Sequence, residues 1–330
     1  MNENEQAYYL TILANYSLPK VLSVETRDSG MNNTTRYAVL EDRSVRVLRI
    51  YENHQDLDKL RAEHEVLLQL QRQVLPFAVP YPVTTKSGLT WVEAEDGKLA
   101  SLFPYLNGSR PSSDLHEMAS EYGRVVGSLV QAMAVLEVKE SPAYPPYDER
   151  LDTPREILLA VENDFETHPV LASLMEDVRY LIDRFKALQE KAEEVRGLPR
   201  QWIHGDFSYA NALVEGNRVS AVLDFEFATR DIRAMELAVC LAEQLSAPGG
   251  ISSSSMTDML SGYQSVFPLE ASELRLLPPL IQLRKLDVFL HFWERFTAGL
   301  DPVQVLMEQT ERAAAVCRFV DEHVSSFIAD

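Results

Sequence analysis

The chain has 330 residues, more than one hydrophobic core usually serves, so two packed lobes are expected rather than one. Hydrophobic residues at 46% and charged residues at 25% exclude a disordered, collagenous or membrane-embedded chain. Lysine plus arginine is 31 against aspartate plus glutamate at 50, and a net charge of −19 argues against nucleic-acid and anionic-membrane partners.

In chain order, the N-terminus Met1-Asn2-Glu3-Asn4-Glu5-Gln6 lacks the basic and apolar regions of a signal peptide. No apolar run approaches the roughly 18 residues a membrane span needs, so a cytoplasmic location is expected. Three β-type runs follow: Val21 to Val24, Arg36 to Leu40 and Val45 to Ile50. Their breaks at Asp28-Ser29-Gly30 and Glu41 to Ser44 predict an antiparallel meander. Asp56 to Val74 carries Leu60, Leu67, Leu70 and Val74 on one helical face, and strand-like runs lie around 89–94 and 99–103.

Beyond Gly108 helical patterns dominate, at 114–138, 153–167 and 170–195, with Thr153-Pro154 read as N-cap and first-turn proline. The lobe boundary falls near 104–112, giving an N-terminal lobe over 1–106 and a C-terminal lobe over 107–330. A strand-rich island then interrupts the helices: Gln201 to Ile203, Ala212 to Glu215 and Arg218 to Leu223, the last two joined by the hairpin dipeptide Gly216-Asn217. Helices resume at 234–245 and through most of 271–330. Ser252 to Ser255 reads as loop, and Pro278-Pro279 as a break or kink. Cys240 and Cys317 sit in apolar helical patterns as buried thiols; two cysteines make neither a disulfide framework nor a zinc site.

The hairpin carries chemistry. A turn at Gly216-Asn217 pairs Glu215 with Arg218, Leu213 with Ser220 and Asn211 with Val222, making Asn211 and Asp224 near neighbours at the open end. Both offer hard oxygen ligands suited to Mg²⁺. The preceding loop, His204 to Asn211, adds Asp206, placed to take a proton from a hydroxyl beside a metal-bound phosphate, a layout for phosphoryl transfer.

His204-Gly205-Asp206, four intervening residues, Asn211, then Asp224-Phe225-Glu226 resembles the catalytic core of the aminoglycoside phosphotransferase and choline kinase superfamily, which includes type II homoserine kinases. The resemblance implies an α+β, bilobal protein-kinase-like fold with a small antiparallel-sheet lobe and a larger helical one. It implies ATP and Mg²⁺, with Asp206 as catalytic base, Asn211 and Asp224 on the metal, and His204 structural. On the nucleotide side it points to the Gly30 to Thr35 loop, with Gly30, Asn33 and Thr34 near the phosphates. It also points to Arg49 as the phosphate cation held by Glu63, with Phe103, Tyr105 and Leu106 as backbone donors to adenine. Glu63 shares the inward stripe of Leu60 and Leu67, and an acid there needs a partner. Arg49 departs from the lysine usual in such kinases, and its bidentate fork requires a different geometry at the phosphates.

Asp231 and Glu236 occupy the place of a further aspartate pair and read as helix-capping and loop-ordering groups, with Asp231 also a substrate-side candidate. Arg284 and Arg295, on a segment rich in polar and aromatic residues, are candidates for a substrate carboxylate. The expected partner is a small-molecule hydroxyl acceptor, a homoserine-like amino alcohol first and an aminoglycoside second; oligomeric state is not legible. The alternative is a catalytically silent kinase-like protein that binds nucleotide or a protein partner, with the arginine at position 49 as the feature in its favour.

Overall fold

The computed structural model describes residues 3–27, 33–52, 56–111, 116–142, 144–246 and 253–323. Helix α1 (Glu3–Leu13) leads into strands β1 (Val21–Glu25), β2 (Asn33–Leu40) and β3 (Val45–Tyr51), then α2 (Leu57–Gln71), β4 (Val92–Glu93) and β5 (Leu99–Pro104). The five strands form one antiparallel sheet in the order β1-β2-β3-β5-β4. Strand period sorts its side chains. Leu48, Ile50, Ala100 and Leu102 turn to one face, where Tyr9, Ile12 and Leu13 of α1 cover them. Arg49 and Tyr51 take the other face, and Tyr51 packs with Leu60 of α2.

Asp56 caps α2 by accepting from Asp58 N at 3.0 Å, and the helix ends at Gln71, three residues short of the expected stripe. Glu63 is buried with Leu60, Leu67 and Leu70, whereas Glu65 turns aside and accepts from Lys139 N at 3.0 Å.

The rest of the chain is mainly helical: α3 (Ala119–Met133), α4 (Arg155–Thr167), α5 (Met175–Gln189) and α6 (Ala192–Arg196). Next come the short strands β6 (Arg200–Ile203), β7 (Ala212–Glu215), β8 (Arg218–Val222) and β9 (Thr229–Ile232). Helices α7 (Ala234–Leu245), α8 (Ser253–Gln264), α9 (Ala271–Thr297) and α10 (Val303–His323) complete the fold. β6 pairs antiparallel with β9, and β7 with β8. Nearly every residue of α7 is buried, which explains its lack of a polar stripe. Cys240 and Cys317 are buried free thiols. Among the described residues no helix is long and apolar enough to cross a membrane.

Three local expectations are corrected. Thr153 does not cap α4: its hydroxyl donates back to Arg150 O at 2.7 Å, and Pro154, extended at ψ 151, stands at the cap position. Within the serine run, Ser253 already opens α8, because Gly262 lets α8 lie directly on α3; a Cβ there would come within 2.1 Å of Ser120 O. α9 runs through Pro278 and Pro279 unbroken, since Leu276, Leu277, Leu280 and Ile281 around them are buried and that packing offsets the missing N–H bonds.

Candidate active site

The hairpin is built one step out of the expected register. Glu215 pairs with Arg218, but a bulge at Ser220 sets Leu213 opposite Ala221 and Ala212 opposite Val222. Outside contacts hold the bulge: Ser220 O accepts from Ala78 N at 2.8 Å, and its hydroxyl donates to Asn107 O at 3.2 Å. The shift brings Asn211 to Leu223, whose N–H donates to Asn211 O at 2.8 Å, and so next to Asp224. Asp224 itself adopts φ 67 and ψ 63, a left-handed conformation that costs a non-glycine residue about 1–3 kcal/mol and turns the chain sharply into the short 3-10 turn Phe225–Phe227.

The Asp206 loop is fastened from behind. Glu236, fully buried at the start of α7, accepts from His204 N at 2.6 Å and Gly205 N at 3.1 Å through one oxygen. His204 is also fully buried, with Nδ1 accepting from Asp206 N at 3.2 Å and Nε2 donating to Leu223 O at 2.9 Å. Gly205 has φ 78, and a Cβ there would come within 2.9 Å of Phe227 O. Burial pushes the Glu236 carboxyl up, while His204 and the two N–H donors pull the other way. Glu236→Ala would leave two buried donors unpaired, so a loss of about 3 kcal/mol in unfolding free energy, read from denaturant titration, is expected.

Asp206 faces two partners. Oδ1 accepts from Arg284 Nη2 at 2.7 Å, while Asn211 Nδ2 donates to the Asp206 carbonyl at 2.9 Å and to Oδ2 at 3.3 Å. Arg284 Nη1 also donates to Tyr147 OH at 2.7 Å, and that hydroxyl donates to Gly205 O at 2.7 Å. Burial raises the Asp206 carboxyl to about 6 against the pull of Arg284.

Between the sheet and the hairpin lies a cleft of about 420 Å³, walled by Val47 and Phe103 on one side and Leu213 and Leu223 on the other. Arg49, Glu63, Asn211 and Asp224 share its floor. The expected pair forms: Arg49 Nη1 lies 3.1 Å from Glu63 Oε1, and its Nη2 reaches Asp224 Oδ1 at 3.0 Å. Burial pushes the Glu63 carboxyl up to about 7 against Arg49, whose own charged form its acidic neighbours stabilise.

Asn33 lines the cleft and donates to Glu226 at 2.8 Å; Thr34 is turned to Glu52 at 2.7 Å, and Gly30 lies outside the described residues. Of the three expected adenine donors, Tyr105 and Phe103 are corrected: the Tyr105 N–H donates to Val45 O at 3.4 Å, and Phe103, opposite Val47 two residues earlier, stands in the same hydrogen-bonded register of the β3–β5 ladder, so both N–H groups belong to the sheet. Phe103 supplies a ring to the cleft, and Leu106 lines it beyond Tyr105.

Two substrate-side candidates are corrected as well. Asp231 is fully buried, and its oxygens accept from Tyr147 N and Ile232 N, each at 2.6 Å, so it orders loops. Arg295 pairs with Asp301 at the far end of α9, about 16 Å along the helix from Arg284. The sequence reading missed Tyr147, Glu243, which lies 3.6 Å from Arg284 Nε, and the strand β9. Tyr147 gave no signal, since its position follows from tertiary packing. Arg230 and Asp231 masked the short alternation of β9.

The donor set fits a divalent cation. Asn211 uses its amide nitrogen on Asp206, which leaves its oxygen as the ligand atom, and Arg49 engages only one oxygen of Asp224. Among the described residues no three His, Cys, Asp or Glu side chains are grouped to hold a metal.

Known proteins share this arrangement of chain. The homoserine kinase of Azorhizobium caulinodans is 25% identical over 327 residues, covering 93% of this chain and 94% of that protein. A microcompartment-associated aminopropanol kinase superposes with a TM-score of 0.71 at 18% identity, covering 96% of this chain and 97% of that one. An amicoumacin kinase solved in complex with AMP-PNP, Ca²⁺ and Ami gives 0.70 at 15% identity, covering 98% of this chain and 94% of that one. These two likenesses show the bilobal kinase-like fold. The sequence model of the phosphotransferase enzyme family matches residues 23–256, well over half of the chain, and the protein belongs to that family.

Proposed function

We propose that the chain transfers the γ-phosphoryl group of ATP to the hydroxyl of a small amino alcohol that also carries a carboxylate, with homoserine the first acceptor to test. The observation that carries this reading is the guanidinium of Arg284 set 2.7 Å from Asp206. An acceptor whose hydroxyl meets Asp206 lies within a few ångströms of a half-buried cation with N–H groups to spare on each terminal nitrogen. Asp287, one turn along α9, accepts from Arg150 Nε at 2.8 Å through Oδ1, and its other oxygen offers a contact for an ammonium group.

In this reading residues 1–106 bind the nucleotide and 107–330 supply the catalytic and acceptor groups. Asp206 Oδ2 orients the acceptor hydroxyl and takes its proton, and Arg49, held between Glu63 and Asp224, steadies the α- and β-phosphates. Mg²⁺ on Asn211 and Asp224 would offset charge on the phosphates. The silent-protein alternative is not favoured: the relatives are kinases, and Asp206, Asn211 and Asp224 stand together.

The test is phosphate transfer over a panel of amino alcohols, with and without a carboxylate, and aminoglycosides. Arg284→Met is expected to raise KM about 30-fold for carboxylate-bearing acceptors. KM for acceptors lacking that group should stay within about threefold, with kcat falling for both because Asp206 loses its partner. Equal KM changes for both acceptor classes would remove the carboxylate assignment.

A further inference from the structure

Glu63 holds Arg49 with one oxygen only. The other, Oε2, accepts from Tyr51 OH at 3.3 Å. The same hydroxyl lies 3.5 Å from His64 Nε2, and His64 Nδ1 lies 2.8 Å from Thr90 Oγ1. Tyr51, Glu63 and His64 are all buried, so these groups have little water to turn to. Two spacings bring them together: Tyr51 follows Arg49 by two on the same strand face, and His64 follows Glu63 on α2.

The chemistry gives the chain a direction. A phenol has one proton, and a carboxylate is its strongest acceptor here, so Tyr51 donates to Glu63. Its oxygen is then free to accept from His64 Nε2–H, and Nδ1 from the Thr90 hydroxyl. That requires a neutral ring, and burial holds His64 far below its usual range, to about 3. Every proton in the relay points toward Glu63.

We propose that Tyr51 and His64 are positioning residues for the nucleotide, fixing the Glu63 carboxylate so that the Arg49 fork is held in one orientation. The need follows from the arginine. A lysine ammonium can pivot about its stem, whereas this guanidinium is planar and takes its partners on two elements, Glu63 on α2 and Asp224 after β8. A turned glutamate would turn the whole fork. Thr90 at the far end lines a second cleft, of about 300 Å³, on the outer side of α2, so the relay runs from there to the phosphate cation.

The inference rests on the reading that Arg49 meets the nucleotide phosphates, and the experiment separates the two. Affinity for AMP-PNP with Mg²⁺ is measured by calorimetry in the parent, Tyr51→Phe and Thr90→Val, and again with each in a Glu63→Gln background. Tyr51→Phe keeps the ring and is expected to weaken binding about tenfold. Thr90→Val, two hydrogen bonds away and nearly isosteric, should weaken it about threefold and serves if the first variant does not fold. Both losses should vanish when Glu63 is already glutamine, because the relay then has no carboxylate to hold. Undiminished affinity in both variants, or losses that add to that of Glu63→Gln, would overturn the relay alone. A parent protein that binds no nucleotide would overturn the relay and the reading beneath it together.

Discussion

Asp206→Asn is expected to lower kcat about a thousandfold while nucleotide affinity stays within about threefold of the parent. The amide keeps the shape of the carboxylate, still accepts from Arg284, and leaves the backbone contact with Asn211 untouched. It cannot take a proton. Asp206 is absent from the lining of the cleft between the sheet and the hairpin, where the nucleotide is proposed to bind, which is why binding and turnover should separate. Turnover that survives the substitution would remove Asp206 as the base.

The same residue sets a pH limb. Burial lifts its carboxyl to about 6, so kcat/KM for the acceptor should fall about tenfold per unit below that pH, as the base becomes protonated. The stability contribution runs opposite to that of an ordinary paired carboxylate. The folded state holds the proton more tightly than the unfolded chain, so between about pH 4 and 6 this group makes stability fall as pH rises. That component should be missing from the denaturation curves of Asp206→Asn. A limb that stays in place in residual Asp206→Asn activity would belong to another group.

How much of this was legible in the sequence depends on the range of the interaction that fixes each residue. The hairpin could be read from Gly216-Asn217 and its flanking alternation, because a two-residue turn and period 2 are local rules. They placed Asn211 near Asp224 even though the bulge at Ser220 was invisible, since that bulge is held by Ala78 and Asn107 from far along the chain. Glu63 could be read from its place on an apolar helical stripe, and its pairing with Arg49 from the need for a partner. Arg284 and Arg295 could not be told apart: both lie on one polar, aromatic helix, and only the packing of α9 decides which end meets Asp206. Asp231 misled for the same reason, because nothing local says that Tyr147 and Ile232 will claim both of its oxygens. β9 went unseen because a four-residue strand containing Arg230 and Asp231 carries too little alternation to outweigh the helix that follows.

Asp224→Asn should separate the metal from the nucleotide. Four carboxylates, Asp206, Asp224, Glu226 and Glu63, bear on Tyr144 at the site, and two guanidiniums, Arg49 and Arg284, pair with three of them. With the Glu63 carboxyl held up at about 7, the excess at neutral pH lies between one and two negative charges, which favours a divalent cation and opposes a bare polyphosphate. Removing one charge therefore has opposite effects on two measurements. Without divalent ions, nucleotide affinity should rise by about two- to threefold, because one repulsive carboxylate is gone. With Mg²⁺, affinity should fall about a hundredfold and kcat about a thousandfold, because an anionic ligand oxygen has become a neutral one. Thermal unfolding shows the second effect directly. A nucleotide at a hundred times its dissociation constant stabilises the fold by about 2.7 kcal/mol, and a hundredfold weaker complex at the same concentration leaves about 0.4 kcal/mol. Asparagine suits this test better than alanine, since both it and aspartate tolerate the left-handed φ of 67 at this position, whereas alanine would add backbone strain to the loss of charge. A Mg²⁺-dependent shift of full size in Asp224→Asn would place the cation elsewhere and remove Asp224 from the proposed metal site.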